Sequence, residues 1–340
     1  MRSIQHRYVI VATGFAILLS LSCASPKVME FPNKFVRPGD NWTYDNFWGY
    51  FVRSLAVSPD GEVLAAGYSG GTVLLWNTKT RSCTRRLTVG SDWAITAFSP
   101  DGRMLATGFQ NSPTVLWDTR SWQAKATLNV SGQVLDMAFS HDGSVLATAN
   151  YTGKKVEIWN TETGKLQNSL SHDKLGQPNA VAFSSDDAIL ATASYGRICL
   201  FNSRTLELID SVPTRATDAL DFSPDGQFLA SGSSQDTVKL WQLTATGAHL
   251  KAVLGTHDDA VTDVRFSPDG RLLASISGSS TLKLWDVFTG QCLKSSKLGT
   301  GRNVCGPHPC LAFAPDGGSI YFSFEESQIR TMDLGNTGGN

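Results

Sequence analysis

The chain is short of charge. Asp, Glu, Lys and Arg make up 17% of its 340 residues and sum to a net charge of −1, whereas about a quarter is ordinary for a globular protein. Its densest basic stretch is Lys79, Arg81, Arg85 and Arg86, the pattern of a solvated edge. Nothing here gives a nucleic acid the electrostatic footprint it needs. Catalytic signatures are missing as well. No nucleophile elbow, phosphate-binding glycine loop or HExxH helix occurs anywhere. His172, His257 and His308 fall on loops without an Asp or Glu triplet at a repeated phase, so His172 and His308 are expected to be solvent-facing loop residues, and Arg53, Lys174, Arg215 and Arg302 are scattered cations. These absences point away from an enzyme, a metal centre and a bound cofactor.

What the chain has is repetition. Seven turns read LAVSPDG (Leu55 to Gly61), TAFSPDG (Thr96 to Gly102), MAFSHDG (Met137 to Gly143), VAFSSDD (Val181 to Asp187), LDFSPDG (Leu220 to Gly226), VRFSPDG (Val264 to Gly270) and LAFAPDG (Leu311 to Gly317). They start 41, 41, 44, 39, 44 and 47 residues apart, a period that marks a stacked or radial array. In Ser-Pro-Asp-Gly the proline supplies a fixed φ and the glycine a positive one, so the segment reads as a hairpin. Apolar and polar residues alternate before it, as in Val261, Val264 and Phe266. A small-residue strand follows, such as VLAAG from Val63 or MLATG from Met104. A β-prone strand comes next, ending at Trp76, Trp117, Trp159, Phe201, Trp241, Trp285 or, in the last copy, Met332. A weaker fourth strand precedes the next turn. One such sheet cannot bury both of its faces. Seven packed face to face around an axis can.

These residues resemble the WD-repeat family of β-propellers over roughly residues 42 to 334. The copy closest to the family pattern runs from Thr256 to Asp286. The resemblance implies an all-β fold: a seven-bladed β-propeller of four-stranded antiparallel blades, with inner strands beginning near 52, 93, 134, 178, 217, 261 and 308. It also implies a buried hydrogen-bonded set of a loop His, a Ser or Thr, an Asp and the Trp. By that pattern only blade 6 keeps the His, as His257 with Ser275 and Trp285, and Ser279 stands at the Asp position. The Trp-Asp pair survives at Trp117-Asp118 and Trp285-Asp286, with Asn77 and Asn160 in other copies. After Met332 too few residues remain for a fourth strand. The aromatic segment Asn41 to Phe47 is expected to supply it, as the family's N-terminal clasp does.

The expected organisation is a signal segment at 1–22, a linker at 23–40, the propeller at 41–335 and a tail at 336–340. Arg2, His6 and Arg7 form a basic start, Tyr8 to Leu21 is an uncharged, mainly apolar run, and Ser22, Cys23 and Ala24 follow. That is a secretory layout, too short for a comfortable membrane span. LSLSC (Leu19 to Cys23) resembles a bacterial lipobox, which would lipidate Cys23 and hold an exported protein at the periplasmic or extracellular side of a membrane. Simple cleavage, giving a secreted soluble protein, and an uncleaved anchor are the other readings. With the clasp at Asn41, about eighteen residues would separate Cys23 from the first strand, a reach of roughly 60 Å. Cys305 and Cys310 bracket Gly-Pro-His-Pro. A local disulfide, a three-ligand metal site with His308, and free thiols are all open.

One feature recurs on the face opposite the turns. Tyr68, Phe109, Tyr151, Tyr195 and Phe324 follow the second strand in five blades. They form either an exposed ring of interface anchors or packing between blades. Residues flanking the inner strands, Arg53, Asp92, Gln133, Asn179, Asp218 and Thr262, are expected to share that face. The expected function is a non-catalytic scaffold, monomeric alone, that binds a protein or peptide there. A propeller enzyme, or a cofactor, small-molecule or glycan binder, is the alternative.

Overall fold

The computed structural model describes residues 28–31, 51–88, 90, 92–244, 247–298, 308–324 and 328–334. Over these residues the chain forms seven four-stranded antiparallel sheets arranged as blades, with no helix. Blades 1 to 6 span 52–88, 94–128, 134–171, 178–213, 217–256 and 261–297. Blade 7 takes Leu311–Phe313, Ser319–Phe324 and Gln328–Asp333.

The repeated turn is wired by its own side chains. The Ser58 hydroxyl donates to Asp60 Oδ1 at 2.5 Å and accepts the Val63 N–H at 2.9 Å, while Asp60 Oδ1 also accepts the Glu62 N–H at 3.0 Å. The Gly61 N–H closes on the Ser58 carbonyl at 2.8 Å with φ at 72°, a conformation that favours glycine. The Ser-Asp contact recurs at Ser99, Ser140, Ser184, Ser223 and Ser267. The turns also abut one another: a Cβ on Gly102 would lie 3.4 Å from Pro59, and one on Gly270 would lie 3.5 Å from Pro224. Blade 4 replaces the glycine with Asp187. Its carboxylate accepts the His141 and Asp142 N–H groups of blade 3 at 2.6 and 2.9 Å. On this face turns contact one another, while Pro59, Asp60, Glu62 and Arg103 stay exposed.

The residue after the third-strand aromatic has a job of the same kind. Asn77, Asp118, Asn160, Asn202 and Asp286 each accept a backbone N–H three residues on, at 2.7 to 2.9 Å. The turn needs an oxygen on a short side chain, which Asn and Asp both supply.

Packing is divided among seven apolar clusters, one at each blade-to-blade interface. Between blades 7 and 1, for example, Leu55, Leu64 and Trp76 meet Cys310, Ala314 and Tyr321. Between blades 5 and 6, Val238 and Leu240 meet Val264, Leu273 and Trp285. The second strands are small because they must admit these side chains: Ala65, Ala106, Ala147, Ala191, Ala230 and Ala274 are fully buried. Truncating a large side chain in such a slab to alanine costs about 2–5 kcal/mol.

The ring closes through Val28–Phe31, which pairs antiparallel with the last strand in the register Val28↔Met332, Met29↔Thr331, Glu30↔Arg330 and Phe31↔Ile329. This corrects the clasp position. An N-terminal strand does complete blade 7, but it comes from the segment assigned as linker, while Asn41 to Phe47 lies outside the described residues. Aromatic strand propensity misled because the neighbouring strand, and not intrinsic preference, chooses which segment pairs.

Proline tests this closure. On an edge strand, alternate N–H groups face the partner, so prolines at both Met29 and Glu30 must remove a ladder donor. The double variant should lower the melting midpoint by roughly 5 °C or more. An unchanged midpoint in a thermal melt would place the closing strand elsewhere.

Candidate functional site: the upper face and channel mouth

Five inner strands carry a bulge at the same point. The ladder steps from Val52 to Ser54, Val134 to Asp136, Pro178 to Ala180, Thr217 to Ala219 and Val261 to Asp263. The skipped residues are Arg53, Leu135, Asn179, Asp218 and Thr262. A bulged residue leaves the ladder and re-aims its side chain, so these five ring the upper end of the inner strands. Their place at the start of the inner strands put four of them, all but Leu135, on this face; the bulge shows in the sequence as the three-residue step from Val52 to Leu55 and from Val261 to Val264. Several contacts knit this end together. The Asn179 side-chain amide donates to Asp218 at 3.2 Å, the Thr262 hydroxyl donates to the Pro309 carbonyl of blade 7 at 2.6 Å, and Asn111 donates to Asp92 at 2.7 Å.

Below the mouth, carboxylates stitch neighbouring inner strands. Asp136 accepts the Val181 N–H at 2.9 Å, Asp221 the Phe266 N–H at 2.6 Å and Asp263 the Leu311 N–H at 3.0 Å. Between blades 1 and 2 the Ser54 hydroxyl oxygen accepts the Thr96 N–H at 3.0 Å. Arg265 lies 3.3 Å from Asp263 and 4.0 Å from Asp221, and Asp263 chiefly raises its pKa. Burial pushes Asp136, Asp218 and Asp221 up to about 6, and it raises Asp263 against the pull of Arg265. Repeat phase and composition do not bring out this ring. Its signal was an Asp at inward positions of otherwise apolar strands.

The continuous aromatic ring does not form. Tyr195 is 74% exposed and Tyr151 half-buried, but Tyr68 and Phe109 are buried at 4% and 0% exposure. Tyr68 packs in the slab between blades 7 and 1, where burial pushes its phenol up. Phe109 is covered by Gly90, whose Cβ would sit 2.8 Å from the ring. Tyr68 and Phe109 are the last residues of their strands and lie in the inter-blade clusters, whereas Tyr151 and Tyr195 come one residue after their strand ends. The backbone of Phe324 ends its strand, and its side chain lies outside the described residues.

The histidines divide differently from expectation. In blade 6 His257 Nε2 lies 2.7 Å from the Ser275 hydroxyl oxygen, which accepts the Trp285 indole N–H at 2.8 Å. The absent Asp has a visible cost: His257 Nδ1 is buried without a hydrogen bond, because the Ser279 hydroxyl turns to Asp258 instead. His172 is not a solvent-facing loop residue. It is 1% exposed and sits 6.2 Å, centroid to centroid, from Phe201, which replaces the tryptophan of its blade. No indole and no bonded hydroxyl meets it there, since Thr192 Oγ1 is also buried without a partner. Burial lowers His172 to about 4.

Cys310 is buried against blade 1, while Cys305, Arg302 and Cys23 lie outside the described residues. Among the described residues no group of three His, Cys, Asp or Glu side chains is placed to hold a metal ion.

His172 yields a pH test. Its folded pKa lies below the unfolded value of about 6.5, so the neutral ring contributes stability above that pH, lost as pH falls towards 4. Between pH 7 and 4.5 the wild type should lose up to about 3 kcal/mol that His172→Leu retains. Urea unfolding at both pH values reads the difference, from which the aspartate contributions cancel. Parallel losses in the two proteins would contradict a buried neutral His172.

The WD40 repeat model (WD domain, G-beta repeat) matches residues 43–77, 122–160, 164–202, 215–242 and 248–286, slightly more than half of the chain. No curated protein matches the chain. Most matched segments begin near an outer strand and end on the third strand of the next blade, so the sequence repeat is offset from the structural one. Most of blade 2, whose inner strand lacks the bulge, falls outside the match. Seven turns, seven interface slabs and this match agree: the chain belongs to the WD40 repeat family of β-propellers.

Proposed function

We propose that this protein is a non-catalytic interaction scaffold, exported and tethered to a membrane through Cys23, which binds a protein or peptide on its upper face. Propellers of this family are commonly scaffolds for protein partners. The observation that carries the reading is the asymmetry between the faces. On the turn face the Ser and Asp side chains bond within their own turns, and most turns abut a neighbour. On the upper face the bulges aim Arg53, Asn179, Asp218 and Thr262 around the mouth, and Tyr195 stands exposed. Exposed aromatics and arginines are the side chains that anchor interfaces.

The clasp also orients the tether. Val28 pairs with Met332, beside the Ala314–Gly317 turn, so the chain joins blade 7 from the turn face. From an acylated Cys23 to Val28 is a span of roughly 16 Å at most, at about 3.3 Å per residue. The turn face is then held near the bilayer and the upper face looks away from it.

Two experiments test the proposal. Cys23→Ser should release the protein from the membrane fraction, and mass spectrometry of the wild-type N-terminus should show acylation. A mature chain beginning at Ser25 without lipid would remove the tether. Once a partner is captured by cross-linking in intact cells and purified, Tyr195→Ala should weaken binding by more than about 1 kcal/mol. Glu62→Ala and Arg271→Ala, on the turn face, should leave it unchanged. The opposite pattern would show that the partner uses the other face.

A further inference from the structure

Arg53 is an unusual cation. It is half-buried, yet it makes no hydrogen bond or ion pair with any described residue. Its guanidinium carbon lies 5.1 Å from the centroid of the Trp93 ring, within cation–π range. Trp93 in turn meets His308 edge-on, with ring centroids 5.9 Å apart and planes at 62°. Three blades build this stack: Arg53 is the bulged residue of blade 1, Trp93 precedes the inner strand of blade 2 and His308 precedes that of blade 7. Trp93 belongs to the stretch that departs from the family pattern. Desolvation lowers the Arg53 pKa, and burial followed by the neighbouring Arg53 charge lowers His308 to about 3, so the imidazole beside it stays neutral.

The ring contact leaves the guanidinium N–H groups to other partners, and no described residue takes them. Those N–H groups match a carboxylate in a two-point fork. The charge count decides between anions. The fields of Asp136, Asp263 and Asp218 reach Arg53, although none of these carboxylates lies within ion-pairing distance. Any anion here meets one cation and the same three carboxylates, and their repulsion acts about twice as strongly on a dianionic phosphate as on a singly charged carboxylate.

We propose that the channel mouth is a single-carboxylate anchor, in which Arg53, set over the Trp93 ring with His308 against that ring, takes an acidic side chain of a bound peptide. The proposal rests on the reading that the upper face binds protein, and it names the chemistry the partner must present.

The test uses the full-length protein with ¹⁵N-labelled arginine, following the Arg53 side-chain N–H signal by NMR. The probes are an acetylated, amidated peptide Gly-Ser-Glu-Glu-Ser-Gly, its Gln-Gln counterpart, a phosphoserine version of the latter, and the Gln-Gln peptide with a free C-terminal carboxylate. The glutamate peptide should shift the Arg53 signal saturably at or below about 10 mM, at least about tenfold more tightly than the glutamine and phosphoserine peptides. Arg53→Gln and Arg53→Lys, followed with the wild type through the Trp93 indole N–H signal of ¹⁵N-tryptophan-labelled protein, should each lose that difference, the lysine because it keeps the charge without the fork. No saturable shift, equal shifts from the glutamate and glutamine peptides, or tighter binding of phosphoserine would overturn the proposal. Preference for the free C-terminal carboxylate would overturn the side-chain assignment. A purified partner that still binds Arg53→Gln but not Tyr195→Ala would remove the anchor and leave the upper-face reading standing.

Discussion

Everything in this molecule depends on each blade being unable to stand alone. A four-stranded sheet with apolar residues on both faces must find a neighbour on each side, and every buried cluster here belongs to two blades rather than one. A linear stack would leave two bare faces. A ring leaves none, provided that its last blade is complete. The short strand Val28–Phe31 therefore has an influence beyond its four residues, since it finishes the blade whose faces serve both blade 6 and blade 1.

The polar architecture follows from that constraint. Inner strands converge on the axis, where side chains are crowded and water is scarce. Carboxylates there accept N–H groups from the next strand, at the expense of pKa values raised by burial. Such groups are costly unless paired and hydrogen-bonded, and Arg265 supplies the countercharge for two of them. Arg53, at the upper end of the same axis, has no such partner among the described residues. The lower carboxylates join blades, and Arg53 is the cation that the proposed anchor uses.

The fold was legible because its signal is repeated. One Ser-Pro-Asp-Gly would be a weak turn; seven at a period near forty residues leave few architectures. The Asn and Asp residues after the third-strand aromatic were legible for the same reason, as their oxygen caps the following turn in five blades. The site was harder to read. Tyr68 and Tyr195 fall at nearly the same place in the repeat, yet one is buried and the other exposed, because Tyr68 ends its strand opposite Val52 while Tyr195 lies one residue past the strand end at Ser194, and one residue changes the side on which a side chain stands. His172 was hidden by a longer loop before its inner strand, which obscured its equivalence with His257. The bulge at Arg53 left a trace that was not read: Val52 and Leu55, Val134 and Met137, and Val261 and Val264 are buried three residues apart, where unbroken alternation would put them two apart.

Hydrogen exchange followed by mass spectrometry examines the closed ring most directly. If closure makes all seven blades one cooperative unit, amides of the inner strands, Leu311–Phe313 included, exchange at a common slow rate. Amides of Val28–Phe31 are then protected together with those of Gln328–Asp333. Early exchange of Val28–Phe31 and of blade 7, while blades 1 to 6 remain protected, would contradict the account.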